Sequence, residues 1–132
     1  MNFPSELKYT EEHEWVRING DGTATVGITD FAQQELGELV YVEVDTLEET
    51  LDQGDVFGTV EAVKTTSDLF MPISGKVIEF NSILDDTQDD NPGAINEEPY
   101  GEGWIVKIEI TNEEELASLM DAAKYEELTS ES

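Results

Sequence analysis

The sequence predicts a mainly β protein with one short internal helix and helices at its C-terminal end. Three observations carry this. Short runs rich in Val, Ile, Thr and aromatic residues recur between Gly, Pro, Asn and Asp turn signals. The helix-like signal in the first hundred residues is brief, and the hydrophobic period changes after Asn112.

Glu14–Ile18 and Thr23–Ile28 flank the turn residues 19–22, the pattern of a first hairpin. Thr29 or Asp30 can cap a helix over 31–36, and Gly37 supplies its stop. Residues 40–44 read as a strand with Val40, Val42 and Val44 on its apolar face. The polar stretch 45–54 reads as a loop. Val56–Ala62 and residues 69–73 are strand-like and flank a polar break at 63–68; residues 77–80 and 104–110 supply further strands. The acidic stretch 85–103, with Pro92, Pro99 and several Gly and Asn residues, predicts a long connection rather than an element. Asn112 can cap a helix carrying Glu113, Glu114 and Glu115 in its first turn, where carboxylates favour the positive dipole end. Leu116, Leu119 and Met120 form its apolar stripe. A second short helix over 122–128 closes the chain.

Composition bounds the function. A chain of 132 residues suits one compact domain, large enough to bury roughly two-thirds of its unfolded surface. With 32 Asp and Glu against 6 Lys and Arg, the net charge is −26, which repels nucleic-acid phosphates and anionic membrane surfaces. Solubility, in a salt-rich cytoplasm for example, accounts for such acidity. There is no Cys, so disulfides and thiolate metal sites are excluded and any redox-active sulfur must come from an attached group. The N-terminal stretch has neither a secretory nor a transit-peptide pattern, and no apolar run approaches the ~20 residues of a membrane span. A cytoplasmic, prokaryotic monomer is expected, or a mitochondrial protein from which a leader has been removed.

Lys64 stands out. It is the only Lys or Arg between Arg17 and Lys76, a stretch carrying 12 Asp and Glu residues. The flanking strand-like runs put it at or near a hairpin tip. Tight hairpins favour Gly-bearing pairs that accept positive φ, and residues 62–65 contain none. A reactive amine held out for modification explains the choice better than turn stability.

From this point the chain resembles a known family. The run EAVKTTSDLFMPISGKVIEFN is similar to the lipoyl-lysine segment of glycine cleavage system H proteins, with Glu61 three residues before the lysine and Gly75 eleven after it. Biotin carriers usually set the lysine between methionines, and lipoyl domains of 2-oxoacid dehydrogenases usually have Asp before it, where this chain has Val63. KYTEEHEWVR, VGITDFAQQELGELVYVEVD, INEEPYGEGWIVKIE and LMDAAKYEEL also resemble H-protein segments in the family's order, so the likeness runs from about Leu7 to Leu128.

The resemblance implies a single lipoyl-carrier domain over 1–132. Its core, about 14–111, would be a flattened barrel or sandwich of the lipoyl/biotinyl type, with a helical extension over about 112–128. It implies lipoate amide-linked to Lys64 and no catalysis by the chain itself. It further implies transport of the aminomethyl group of glycine from the pyridoxal-phosphate glycine decarboxylase to aminomethyltransferase, and reoxidation by dihydrolipoamide dehydrogenase. A lipoate ligase or a lipoyl/octanoyl transferase would install the group. An H-like donor in a lipoylation relay has the same fold and lysine and is the alternative. An independent enzyme is disfavoured, because no nucleophile, metal cluster or cofactor loop is present.

Individual residues follow by the same resemblance. Glu61 and Gly75 read as elements recognised during lipoylation, Glu61 equally as a solvent-facing carboxylate and Gly75 as a position of positive φ or close backbone approach. Glu14 and Asp68 resemble residues lining the cleft where the loaded arm parks. Glu35 is grouped with them in that cleft, at a position where some relatives have His. His13 reads as a local hydrogen-bonding residue, and Gly101 to Trp104 as a core-packing strand entry. The acids at 85–90 lack the spacing of a calcium loop, and no metal site is expected.

Overall fold

A computed structural model describes residues 3–130. Nine strands form two antiparallel sheets facing one another as a flattened sandwich rather than a closed barrel. The larger sheet runs in the order β1 (Lys8–Tyr9), β2 (Glu14–Ile18), β3 (Thr23–Ile28), β9 (Val106–Ile110), β8 (Gly75–Phe80) and β5 (Thr50–Leu51). The smaller sheet pairs β4 (Leu39–Glu43), β6 (Val56–Ala62) and β7 (Thr66–Phe70). Val26, Val106, Ile108 and Val77 from the first sheet and Val42, Phe57 and Val60 from the second share one buried core.

Strand alternation decides which side chains reach that core. Along β2, Val16 belongs to the main core, while Trp15 points to the opposite face. There Trp15 joins Leu7, Tyr9 and Tyr125 in a second buried cluster, beneath the helix α3 (Ala122–Ser130). Gly27 lies opposite Trp15 in the ladder, and a Cβ on it would meet the indole at 2.7 Å. A side chain there would displace the ring.

Helix α1 (Asp30–Leu36) forms where its signals predict. The Thr29 hydroxyl accepts from the Ala32 amide at 3.2 Å, and Gly37 at φ +82° ends it. The glycine tolerates that backbone where a β-carbon would strain.

Several elements differ from expectation. A bulge between Leu39 and Tyr41 turns β4, so that Leu39 and Val42 are buried while Val40 is exposed. The expected face of Val40, Val42 and Val44 is thereby broken. The second strand of the lysine hairpin is Thr66–Phe70, not 69–73. Its ladder continues through polar residues, Glu61 opposite Thr66 and Thr59 opposite Asp68, since backbone pairing needs no apolar side chain. The loop 45–54 contains β5. The long connection 85–103 contains a five-residue helix, α2 (Gly93–Glu97), which buries Ala94 and Ile95. The helix capped by Asn112 is a 3₁₀ turn, Glu113–Ser118, with the Asn112 side chain accepting from Glu114. The strand expected from residue 104 begins at Val106.

Candidate functional site

Lys64 occupies the three-residue tip between β6 and β7 and is exposed. The tip is closed by the Ala62 amide, which donates to the Thr65 carbonyl at 2.7 Å, and is held to the neighbouring segment by the Val63 amide, which donates to Glu38 at 3.0 Å. None of residues 62–65 has positive φ. The turn therefore never required glycine, and glycine's absence alone does not single out the tip.

Position does single it out. The Lys64 side chain extends to the C-terminal end of α1, where a Cβ on Gly37 would lie 3.2 Å from Cε and 3.6 Å from Nζ. A cation has the favourable sign at that end of a helix. The ion pairs among the described residues are Lys76 with Glu48 and Lys107 with Glu79, both lysines lying on strands of the larger sheet. Lys64 belongs to neither.

Between α1, β2 and β7 runs a groove of about 380 Å³. Phe31, Leu36, Val60 and Leu69 give it apolar walls, and Glu14, Glu35 and Asp68 all line it. The three residues assigned to a cleft by resemblance thus meet in one place, contributed by a strand of each sheet and by the helix. Glu35 and Asp68 are exposed. Glu14 is different. It is 1% exposed; Oε1 accepts from the Thr10 hydroxyl at 2.7 Å and Oε2 from the Phe70 amide at 3.2 Å. Burial pushes its pKa up to about 8, against the lowering effect of those two hydrogen bonds. Glu14 therefore holds its proton into the neutral range.

A larger hollow of about 470 Å³ shares Glu12 and Glu14 with the groove. Its lining includes the segment from Phe70 to Pro72, at the end of β7 remote from the lysine tip, and residues 118–120. The groove along α1 is the one that meets the helix end where Lys64 lies.

The residues expected to guide lipoylation are not brought together. Glu61 lies exposed on β6, opposite Tyr41 and Thr66, one turn from Lys64. Gly75 is buried in the other sheet, opposite Leu51 and Ile110. It lacks positive φ; a Cβ would instead lie 2.8 Å from the Glu109 carbonyl oxygen, so close backbone approach explains the glycine.

Sequence reasoning missed Asn96, which lies in the unexpected helix α2. Its Oδ1 accepts from the Leu39 amide at 3.0 Å, and its Nδ2 donates to the Gly37 carbonyl at 2.8 Å and to Gln33 at 3.0 Å. One amide side chain thus braces the turn against which Lys64 rests. An Asn among many in a loop-like stretch carried no signal of this. The apolar walls were missed too, because they join helix α1 to the lysine hairpin, two elements separated in the chain by β4 and β5. His13 is the local hydrogen-bonding residue expected, with Nδ1 2.8 Å from the Tyr125 hydroxyl. It also lines the groove.

Comparison with known proteins agrees with this arrangement. The family model described as "Glycine cleavage H-protein" matches residues 7–132. A Bacteroides fragilis glycine cleavage system H protein is 52% identical over 125 residues, covering 95% of each chain. One from Staphylococcus saprophyticus is 48% identical over 131 residues, 99% of this chain and 100% of its own. A crystal structure of a glycine cleavage system H protein from Mycobacterium marinum superposes with a TM-score of 0.84 at 35% identity, covering 97% of this chain and 99% of that one. The hairpin lysine, the groove beside it and these full-length matches place the chain in the glycine cleavage H-protein family, whose members are lipoyl carriers of the glycine cleavage system and not its catalysts.

Proposed function

We propose that Lys64 is the residue to which lipoate is joined, as an amide, and that the groove along α1 receives the resulting arm. The observation carrying this is the placement of one exposed, unpaired lysine at a hairpin tip, against the helix that forms the groove wall. The residues fit the group. Apolar walls suit an aliphatic arm, and Glu14, Glu35 and Asp68 offer carboxyl groups to a cationic amine. When bound, lipoate supplies a dithiolane that takes up and gives back the aminomethyl group of glycine. The chain's own part is to hold the arm, shield it from water and offset the charge of its cargo. Tethering keeps that cargo at high effective concentration near each partner.

The partners follow from membership of the system: glycine decarboxylase, aminomethyltransferase and dihydrolipoamide dehydrogenase, with a lipoate ligase or lipoyl/octanoyl transferase installing the arm. Glu61, exposed on the lysine's own hairpin, suits recognition by that enzyme; Gly75 acts only by keeping the fold. A cytoplasmic monomer is the form proposed, and among the described residues no helix is long and apolar enough to cross a membrane.

The test is peptide mapping after incubation with a lipoate ligase. Lipoate belongs on Lys64 alone, and Lys64→Arg should melt like wild type yet stay unmodified, since guanidinium does not form this amide. Modification of Lys76 or Lys107 would overturn the assignment.

A further inference from the structure

Behind the groove wall lies a buried polar relay. The Tyr125 side chain of α3 is fully buried and stacks on Tyr9 at 4.8 Å between ring centroids. Its hydroxyl reaches two groups: Thr29 Oγ1 at 2.7 Å and His13 Nδ1 at 2.8 Å. Thr29 is the N-cap of α1 and its backbone amide donates to the His13 carbonyl at 3.0 Å. His13 and Phe31, whose rings lie 4.8 Å apart, both line the groove. The C-terminal helix, which contributes nothing to the groove's lining, thus holds the loop and helix that do.

Hydrogen-bond accounting gives the relay a direction. Thr29 is fully buried, and its oxygen already accepts from the Ala32 amide. Its own proton has one partner at hand, the Tyr125 oxygen. Tyr125 must then donate onward to His13 Nδ1, because the opposite direction would leave a buried hydroxyl proton unused, at a real cost. His13 is thereby fixed as the neutral tautomer with its proton on Nε2. Burial also lowers the His13 pKa, against the raising influence of Glu12 and Glu35. The backbone of His13 sits at φ +68°, a conformation that its surroundings must hold in place for a residue with a β-carbon.

We propose that Tyr125 is a positioning residue of the groove: its hydroxyl, bonded to Thr29 and His13, sets the wall that shields the cargo on the Lys64 arm. The inference rests on the reading that this groove receives the arm. It assigns to the C-terminal helix a part in retaining cargo, separate from the attachment of lipoate.

Two measurements on Tyr125→Phe test it. The first needs no lipoate. His13 is the only histidine in the chain, so nitrogen-resolved NMR of the unmodified protein reads its tautomer without ambiguity. Wild type should show the Nε2–H form alone and Tyr125→Phe a mixture; an Nδ1–H form in wild type overturns the relay. The second follows ammonia release from the lipoylated protein after loading with glycine and its decarboxylase and removal of that enzyme. Tyr125→Phe should accept lipoate at the wild-type rate and release ammonia roughly fivefold faster, the effect of about one net hydrogen bond. Cargo equally long-lived in both proteins, yet longer-lived than on free dihydrolipoamide, overturns the role of Tyr125 and leaves the groove reading standing. Wild-type cargo no longer-lived than on free dihydrolipoamide overturns both. If Tyr125→Phe loses its cooperative melting, Thr29→Val keeps the core tyrosine and removes the bond between Tyr125 and α1: cargo should again be lost faster, the Nε2–H tautomer should persist because Tyr125 still donates to His13 Nδ1, and a wild-type cargo lifetime in Thr29→Val overturns the role of the relay.

Discussion

Glu14 on β2 accepts a 3.2 Å hydrogen bond from the Phe70 amide on β7, so a buried carboxyl group joins the two sheets beside the groove. Sequence alternation put Glu14 on the same strand face as Val16, but only the approach of β7 made it buried. Its protonation then becomes part of the stability of the fold.

The first prediction is a pH dependence. The ordinary value of the Glu14 carboxyl, 4.5, applies in the unfolded chain, and about 8 applies in the fold. Between those values the folded protein holds the extra proton, so the stabilisation present below about 4.5 is lost as pH rises to about 8. Glu14→Gln cannot ionise. Its stability relative to wild type should be level below about pH 4.5 and then improve by ~2 to 4 kcal/mol by pH 8, at no more than ~1.4 kcal/mol per pH unit. Urea unfolding of both proteins from pH 4 to pH 9 measures this; a constant difference would mean that Glu14 ionises normally.

Two of the groove acids, Asp68 and Glu14, should differ in their hold on the cargo. An exposed carboxylate such as Asp68 contributes ~0 to 1 kcal/mol to an ion pair, whereas a buried charge-assisted hydrogen bond accepted by Glu14 contributes ~1.5 to 3. Asp68→Asn should therefore speed ammonia release from the loaded protein by up to ~fivefold and Glu14→Gln by ~tenfold or more, both accepting lipoate normally. Identical release from all three proteins would reduce these groups to ordinary carboxylates.

Gly75 separates two reasons for a glycine. Because φ is not positive and a Cβ would lie 2.8 Å from the Glu109 carbonyl, every side chain should be unwelcome. Gly75→Ala and Gly75→Asn should each lose ~1 to 3 kcal/mol. Positive φ would have favoured Asn, so thermal unfolding in which Asn, but not Ala, retains wild-type stability contradicts the close approach.

Asn96 offers a prediction about the lysine's support. Asn96→Ala leaves the amide of buried Leu39 without its acceptor, costing ~1 to 3 kcal/mol. Asn96→Asp keeps that acceptor but loses the donor to Gly37 and should fall between wild type and Ala. Amide exchange at Leu39, faster in Ala than in Asp, checks the order; unchanged exchange in Ala shows that the brace is dispensable.

Local chemistry was readable from the chain. Thr29 and Gly37 mark the ends of α1, Asn112 marks the start of the 3₁₀ turn, and alternation marks β2, β3 and β6, because each depends on neighbouring residues alone. The lysine segment was readable through its resemblance, which named Lys64, Glu14, Asp68 and Glu35 before any geometry was known. Other features were settled by distant partners. Val40 faces outward because β4 bulges against β6, and Thr66–Phe70 forms a strand because β6 offers it a ladder. Asn96 matters because α2 folds back on Gly37, and the tautomer of His13 depends on Tyr125, 112 residues away. Composition and spacing determined which groups were at hand; burial determined their state. A carboxyl holds its proton, or an imidazole one tautomer, only when packing removes water and leaves particular hydrogen-bond partners, and those partners are chosen by the tertiary structure.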